Sequence, residues 1–372
     1  MIPTFHPLRV LEVRPETADA ISVAFEVPSE LRDAYRFTQG QYLTLRAQVG
    51  GEDLRRSYSI CCGEDDYAAR GELRVAIRKV PGGRFSSHAN EVLRAGATLD
   101  VMTPEGRFHS RRSTSAARHH VAFAAGSGIT PILSLMRTTL AREPGSRFTL
   151  VYGNRSVDTI LFLEPLEALK NRYLDRVRLY HVLSRQPQDI ELFNGRIDAS
   201  KVRAFMASLI PAATVDEAYV CGPSSMIDEV EGALLEAGVP RQQVHCERFG
   251  VPDSAGLPGK GTAATAAAFS PGAEQASGQA ARLTVILDGK SRELAFPYQG
   301  APLLDTALAA GMPLPYACKG GVCCTCRAKL LEGEVRMDKN YTLEDWELAQ
   351  GFVLTCQSHP VSERVVVSYD ER

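Results

Sequence analysis

The pattern of apolar positions along this chain changes three times. Over residues 1–112 short β-rich runs alternate with turns, at Ala20–Val27, Tyr42–Ala47, Tyr58–Cys61 and Leu73–Lys79, with Gly-Gly pairs at 50–51 and 82–83 between them. That rhythm predicts an antiparallel β-barrel. Over 113–249 apolar strands alternate with amphipathic helical stretches. His120–Ala125 precedes a helix near 131–141, Phe148–Tyr152 one near 163–173, Arg178–Leu183 one near 201–209, and Glu217–Cys221 one near 225–237. Alternating β and α elements predict a doubly wound parallel α/β sheet. Over 250–281 periodicity vanishes: the stretch is almost all Gly, Ala, Ser, Pro and Thr, with Phe269 its single aromatic. It cannot bury enough apolar surface to offset its ordering entropy, so it reads as a flexible linker. The alternative is a short Ala-rich helix at 263–268. In 282–372, Leu283–Leu287, Arg292–Phe296 and Arg364–Ser368 read as strands and Leu303–Ala310 as a helix stopped by Gly311.

Composition adds mainly exclusions. The 372 residues are 23% charged with a formal net charge of -2, which argues against nucleic-acid binding through a basic surface. The N-terminus lacks a basic segment followed by an apolar run, and no apolar stretch approaches the ~18 residues of a membrane span. A cytoplasmic protein with no membrane partner is expected. In that reducing compartment nine cysteines point to metal rather than disulfides.

Four of the nine lie in CKGGVCCTC, residues 318–326. Cys318, Cys323 and Cys326 give the spacing C-x4-C-x2-C, and Cys356 follows at a distance, which is the plant-type [2Fe–2S] ligand pattern. Three thiolates from one loop must converge on a compact cluster. Gly320 and Gly321 permit the tight wrap, and loop N–H groups can then face the sulfurs. With the flanking strands this predicts a β-grasp ferredoxin domain. A zinc site would use CxxC-like pairs and often histidine; only His359 is near, and C-x4-C fits zinc poorly. Cys324, wedged between ligands, should point away from the cluster, either as a structural spectator or as a neighbour that tunes it.

Four further motifs are weak singly. Arg56-Ser57-Tyr58-Ser59 follows Gly40-Gln41-Tyr42 and precedes Val80-Pro81-Gly82-Gly83-Arg84-Phe85-Ser86. A surface arginine beside a strand is the bland reading of the first. A glycine-rich turn followed by serine can offer N–H and O–H groups to a phosphate, and Tyr58 a face to a planar ring. AGSGITP, residues 125–131, sits where a strand turns into a helix, the position at which dinucleotides bind, although it is not G-x-G-x-x-G. Cys221-Gly222-Pro223-Ser224-Ser225-Met226 closes another strand.

In that order RSYS, GGRFSS, GSGITP and CGPSSM resemble the ferredoxin–NADP reductase superfamily. The added plant-type ferredoxin is similar to the reductase components of bacterial oxygenases. The resemblance spans the chain apart from the linker. It implies that Arg56, Ser57, Tyr58 and Ser59 bind FAD, Tyr58 by stacking and Ser59 near the reactive N5, with Gly82, Gly83 and Ser86 on its pyrophosphate. Gly126, Gly128 and Thr130 would line the nicotinamide nucleotide site, with Cys221 and Gly222 near the nicotinamide. Glu247 and Phe249, in ERFG, match the positions where the family closes its flavin site with an acid and an aromatic. Ser59, Cys221 and Glu247 are the catalytic candidates. Gln39 stands where relatives often carry proline, which puts little in doubt.

The nucleotide is expected to be NADPH. An NAD-type site places an acid after the second strand, whereas here Gly153-Asn154-Arg155 follows. Ser184-Arg185, after the third, resembles the superfamily's 2′-phosphate clamp, and arginine's planar fork suits a phosphate; the alternative is a plain loop cation. A nicotinamide gives two electrons together and a [2Fe–2S] cluster takes one, so a flavin must stand between them. No oxygen-activating site is visible, so a partner must oxidise the substrate. The resemblance points to the oxygenase subunits of a di-iron monooxygenase of the phenylacetyl-CoA epoxidase type. A Rieske-type ring-hydroxylating dioxygenase is the alternative, and a redox sensor the reading of another class.

Overall fold

The computed structural model describes residues 3–110, 117–250, 263–265 and 280–371. The expected boundary at 112/113 and most of the expected linker lie outside these residues. The chain divides into two compact units, Phe5–Phe249 and one formed from Gly250 onward together with residues 1–4.

The first unit begins with six antiparallel strands: β1 (Phe5–Thr17), β2 (Ala20–Glu26), β3 (Tyr42–Val49), β4 (Glu52–Ser59), β5 (Glu72–Arg78) and β6 (Thr98–Met102), ordered β4-β3-β6-β1-β2-β5. The Ile60–Val75 bridge joins the two edges, so the sheet closes into a barrel around Leu8, Val23, Phe25, Leu43, Leu45 and Val75. The sequence reading started the fourth strand at Tyr58; it begins six residues earlier, because the charged run Glu52–Arg56 conceals the alternation. The thirteen-residue β1 escaped notice because two register shifts break its period. Helices α1 (Glu64–Arg70) and α2 (Arg84–Val92) cover the barrel.

The same unit continues with a five-stranded parallel sheet: β7 (His119–Ala125), β8 (Arg147–Asn154), β9 (Val177–Leu183), β10 (Glu217–Cys221) and β11 (Val244–Glu247), ordered β11-β10-β7-β8-β9. Its helices are α3 (Ile129–Arg142), α4 (Leu163–Arg172), α5 (Ala199–Ser208) and α6 (Ser224–Glu236). Alternate residues of each strand feed two cores. Ala122, Ala124, Leu150 and Tyr152 pack with α3 and α4, while Val121, Phe123, Val151 and Val220 pack with α5 and α6. Strand order reverses between β7 and β10, and at such a switch point the strand ends part to leave a crevice for a ligand.

In the C-terminal unit β13 (Ala280–Leu287), β14 (Lys290–Pro297), β15 (Arg327–Glu332), β17 (Phe352–Leu354) and β19 (Arg364–Ser368) form a mixed sheet ordered β14-β13-β19-β15-β17. A smaller sheet joins β12 (Ala263–Thr265), β16 (Glu334–Met337) and β18 (Ser358–Pro360). Helix α7 (Leu303–Ala309) packs Leu303, Leu304 and Ala307 into the core, and a short α8 (Asp345–Ala349) follows β16. The segment expected as linker therefore contributes a strand: 263–265 pairs antiparallel with β16 instead of forming the alternative helix. β13 also begins at Ala280, inside the expected linker.

Candidate functional site

In the C-terminal unit the cysteine loop runs between α7 and β15. Its sulfurs meet in two pairs: the Cys323 thiol hydrogen-bonds Cys318, and the Cys326 thiol hydrogen-bonds Cys356. Each pair feels the other electrostatically, Cys323 against Cys326 and Cys318 against Cys356. Those hydrogen bonds lead in holding the Cys318 and Cys356 thiols below their ordinary range. The Gly320 N–H donates to Cys318 Sγ at 3.3 Å, and Gln357 Nε2 lies 3.5 Å from Cys356 Sγ. Gly321 has φ +78°, and a Cβ there would lie 3.0 Å from the Lys339 carbonyl, so a side chain at this point would crowd the closing of the loop. Among the described residues no three ligating side chains converge on a single-ion position. Cys318, Cys323, Cys326 and Cys356, met by N–H donors, fit a [2Fe–2S] cluster, which these four thiolates would hold. Cys324, with φ +58°, instead contacts Thr342 Oγ1 at 3.2 Å.

In the first unit the β3–β4 hairpin places Ser57, Tyr58 and Ser59 opposite Thr44, Leu43 and Tyr42. Ser57 Oγ lies 3.1 Å from Thr44 Oγ1, Arg56 is exposed, and the Tyr58 ring lies 5.8 Å from that of Phe85. Phe85 is in the first turn of α2, so Gly82 and Gly83 turn out to lead into a helix N-terminus, where first-turn N–H groups have no partner within the helix. The Ser86 hydroxyl is engaged inside this turn: it accepts from the Val80 N–H at 3.1 Å and donates to the Gly83 carbonyl at 3.2 Å. These two bonds brace the turn. A stacking ring, an exposed arginine and a helix N-terminus together fit a flavin with its pyrophosphate.

The nucleotide-side motifs meet at the switch point. Gly126–Gly128 follows β7 and opens α3, and Cys221-Gly222 ends the neighbouring β10. A Cβ on Gly128 would fall 2.1 Å from the Cys221 carbonyl oxygen, so the two loops touch only because residue 128 has no side chain. The Thr130 hydroxyl donates to the Ser127 carbonyl at 3.0 Å and braces the loop from within. Along the sheet edge the Ser184 and Arg185 N–H groups donate to the Asn154 and Arg155 carbonyls. This sets Arg155 and Arg185 side by side, both exposed.

Among the bonds that join the two halves of this unit, one links two catalytic candidates. Ser59 Oγ, at the end of β4, donates to Glu247 Oε2, at the end of β11, at 3.1 Å. Glu247 pairs in register with Cys221, so the three catalytic candidates converge. Burial pushes the Glu247 carboxyl up to about 8 against the Ser59 hydrogen bond. Burial, then the Glu247 charge, pushes the Cys221 thiol well up. Cys221 is thus a neutral wall and not a thiolate nucleophile. Phe249, two residues on, is 46% exposed.

Two residues here carried no sequence signal. Tyr152, buried in β8, donates to the Gly126 carbonyl at 2.8 Å and pins the loop. Arg78, at the end of β5, reaches across from the barrel: its Nη1 would lie 3.0 Å from a Cβ on Gly126. One arginine among 42 basic residues is marked only by the contact that folding gives it.

Three family models match in chain order: an oxidoreductase FAD-binding domain over 7–110, an oxidoreductase NAD-binding domain over 123–232, and a 2Fe-2S iron-sulfur cluster binding domain over 285–361. The chain is 44% identical over 369 residues to a component of the 1,2-phenylacetyl-CoA epoxidase of Escherichia coli, covering 99% of each chain. It belongs to the ferredoxin–NADP reductase superfamily, among the iron–sulfur flavoprotein reductases of multicomponent oxygenases. The reductase is also 32% identical to the ferredoxin reductase component of 3-ketosteroid-9-alpha-monooxygenase from Rhodococcus rhodochrous, over 97% of its own length and 96% of that relative's. Phthalate dioxygenase reductase shares its fold at a TM-score of 0.58 and 22% identity, over 98% of both chains. FAD and a [2Fe–2S] cluster are accordingly the cofactors of the reductase. Among its described residues no helix is long and apolar enough to cross a membrane.

Proposed function

We propose that the reductase draws electrons from NADPH and delivers them singly to the di-iron oxygenase subunits of a phenylacetyl-CoA epoxidase. The chemistry of the transfer is the flavin's, which takes an electron pair and gives it up one at a time. The chain's part is positional. Tyr58, Arg56 and the α2 N-terminus hold the flavin, while Gly126–Gly128 and Arg78 hold the dinucleotide. The Ser59–Glu247 bond keeps the two sites face to face, and it is the observation that carries this reading. Glu247 stays protonated at neutral pH, so no charge is buried beside the ring. The partner rests on the full-length similarity to the epoxidase component. The steroid monooxygenase relatives favour a second reading, in which the acceptor is another class of oxygenase. Mixing the NADPH-reduced protein with purified oxygenase components of each class, and following acceptor reduction, tests the choice. Fast transfer to the epoxidase alone is expected; transfer only to the other class overturns the partner.

The nucleotide preference is carried by Arg155 and Arg185, two exposed cations at adjacent strand ends where an NAD-type site would hold an acid. Arg185→Ala is expected to weaken NADPH by about 1.5–3 kcal/mol, the worth of a charge-assisted contact, and NADH much less. Equal losses would remove Arg185 from the 2′-phosphate.

A further inference from the structure

Arg78 is held in place by an acid that no motif contains. Asp19 lies in the β1–β2 turn, and the register of β2 on β5 sets Ala20 opposite Arg78. The Arg78 Nε–H donates to Asp19 Oδ2 at 2.9 Å. The other carboxylate oxygen, Oδ1, accepts from the Thr17 hydroxyl, also at 2.9 Å. The Asp19 carbonyl in turn accepts from the Lys79 N–H at 2.7 Å. Asp19 is therefore fixed at three points. It grips the guanidinium by Nε and leaves the Nη edge toward Gly126. Burial raises the Asp19 carboxyl, but the Arg78 and Thr17 hydrogen bonds and the charges of Arg78 and Arg155 bring it below its usual range. It stays ionised at working pH and stands in the field of both arginines.

We propose that Asp19 is a positioning residue for the dinucleotide: it aims Arg78 across the domain seam at the pyrophosphate on the Gly126–Gly128 loop. The alternative is a screening role, in which the carboxylate repels the phosphates it lies near. Geometry decides between them. The pair is open to solvent, with side-chain exposures of 23% for Arg78 and 44% for Asp19, so water damps the repulsion. Orientation is not damped: a long arginine side chain gives up its rotamer freedom either to Asp19 in advance or to the ligand on binding. The inference rests on the reading of Arg78 given above.

The test uses the full-length, FAD-loaded protein, titrated with NADP+, NAD+ and 2′-AMP and followed by perturbation of the flavin spectrum. Asp19→Ala is expected to raise Kd for both dinucleotides at least threefold and by the same factor, and to leave 2′-AMP, which lacks the pyrophosphate, unchanged. KM for NADPH should rise in parallel while kcat with ferricyanide holds. Asp19→Asn, which keeps an acceptor oxygen for Nε, should restore most of the affinity. It decides the matter if Asp19→Ala loses its flavin. Arg78→Ala/Asp19→Ala should bind no more weakly than Arg78→Ala, because Asp19 acts only through Arg78; a merely structural role would add. Tighter binding in Asp19→Ala, unchanged binding, or additive losses overturn the proposal. If Arg78→Ala itself binds both dinucleotides normally, the reading of Arg78 falls and the proposal with it. Loss in Arg78→Ala alone overturns only the role of Asp19.

Discussion

At the scale of single residues the informative groups are those whose surroundings oppose their ordinary chemistry. Glu247 is a carboxyl that burial keeps protonated to about pH 8. Its folded pKa lies above its unfolded value near 4.5, so between those two pH values the native state holds more protons than the unfolded one. Its contribution to stability is then present in full below about pH 4.5 and is lost as pH rises through about 8. Glu247→Gln should remove that decline, leaving a flatter midpoint from pH 5 to 8 in thermal unfolding of the FAD-loaded protein. An unaltered pH dependence would place the titration elsewhere. The cysteine loop gives a sharper contrast. Cys323 and Cys324 are neighbours in sequence, yet Cys323 meets Cys318 while Cys324 turns to Thr342. Cys324→Ser should keep its iron and visible spectrum. Serine at 318, 323, 326 or 356 should lose or destabilise the cluster while FAD stays bound. Iron content of the five variants decides it, and loss from Cys324→Ser with retention in Cys323→Ser would reverse the loop's assignment.

At the scale of elements, what sequence discloses depends on how far apart the cause and the effect lie. Glu217–Cys221 and Arg364–Ser368 are strands with the expected limits, because four or five consecutive apolar-rich residues bounded by polar turns need no distant partner to be recognised. The C-x4-C-x2-C loop is equally local. β6 is equally short, but Asp100 interrupts its apolar run, so only its partners on both sides define it. α2 was concealed differently: its Gly-Gly start reads as a turn, and the N–H groups it would offer a phosphate are those of the helix terminus that follows. Least legible was the meeting of Gly128 with Cys221, distant in sequence and joined only by the strand order. This yields a prediction. Gly128→Ala puts a methyl 2.1 Å from a carbonyl oxygen, so the two loops must part. A cost of about 1–3 kcal/mol is expected, with dinucleotide affinity falling at least tenfold and FAD retained. Gly232→Ala is the control. It lies within α6, where an added Cβ meets nothing within 4 Å, and should stabilise by about 0.5–1 kcal/mol. Unfolding midpoints and NADP+ titrations of the two variants check both.

At the scale of the whole molecule, three cofactor-family segments fold as two units, and the reason is where the cores lie. Ala20, Cys61, Ala76 and Phe108 of the barrel share one apolar cluster with Ala122, Leu133, Tyr152 and Tyr219 of the parallel sheet. Buried polar bonds reinforce the seam: the Ser110 hydroxyl donates to Glu217 at 2.8 Å, and Glu217, 1% exposed, also meets His245 at 2.8 Å. Outer ion pairs such as Arg137–Asp66 at 3.0 Å, with side chains 33% and 44% exposed, add little. The C-terminal unit has a separate core, built from Leu283, Phe296, Leu304, Ala328, Val353 and Val367 without a residue from the first unit. Among the described residues, neither apolar cluster is divided by a cut after Phe249, whereas cutting near residue 113 bares the cluster the barrel shares with its neighbour. A chain ending at Phe249 should fold with the full FAD complement, reduce ferricyanide from NADPH at close to the parent rate, and fail to reduce the oxygenase. A chain ending near residue 113 should be insoluble or hold flavin weakly. Flavin content, ferricyanide reduction and oxygenase turnover of the two truncations measure this directly. Normal oxygenase turnover by the first would show that electrons leave from the flavin and bypass the cluster. A stable, flavin-loaded barrel from the second would show that the shared core is dispensable.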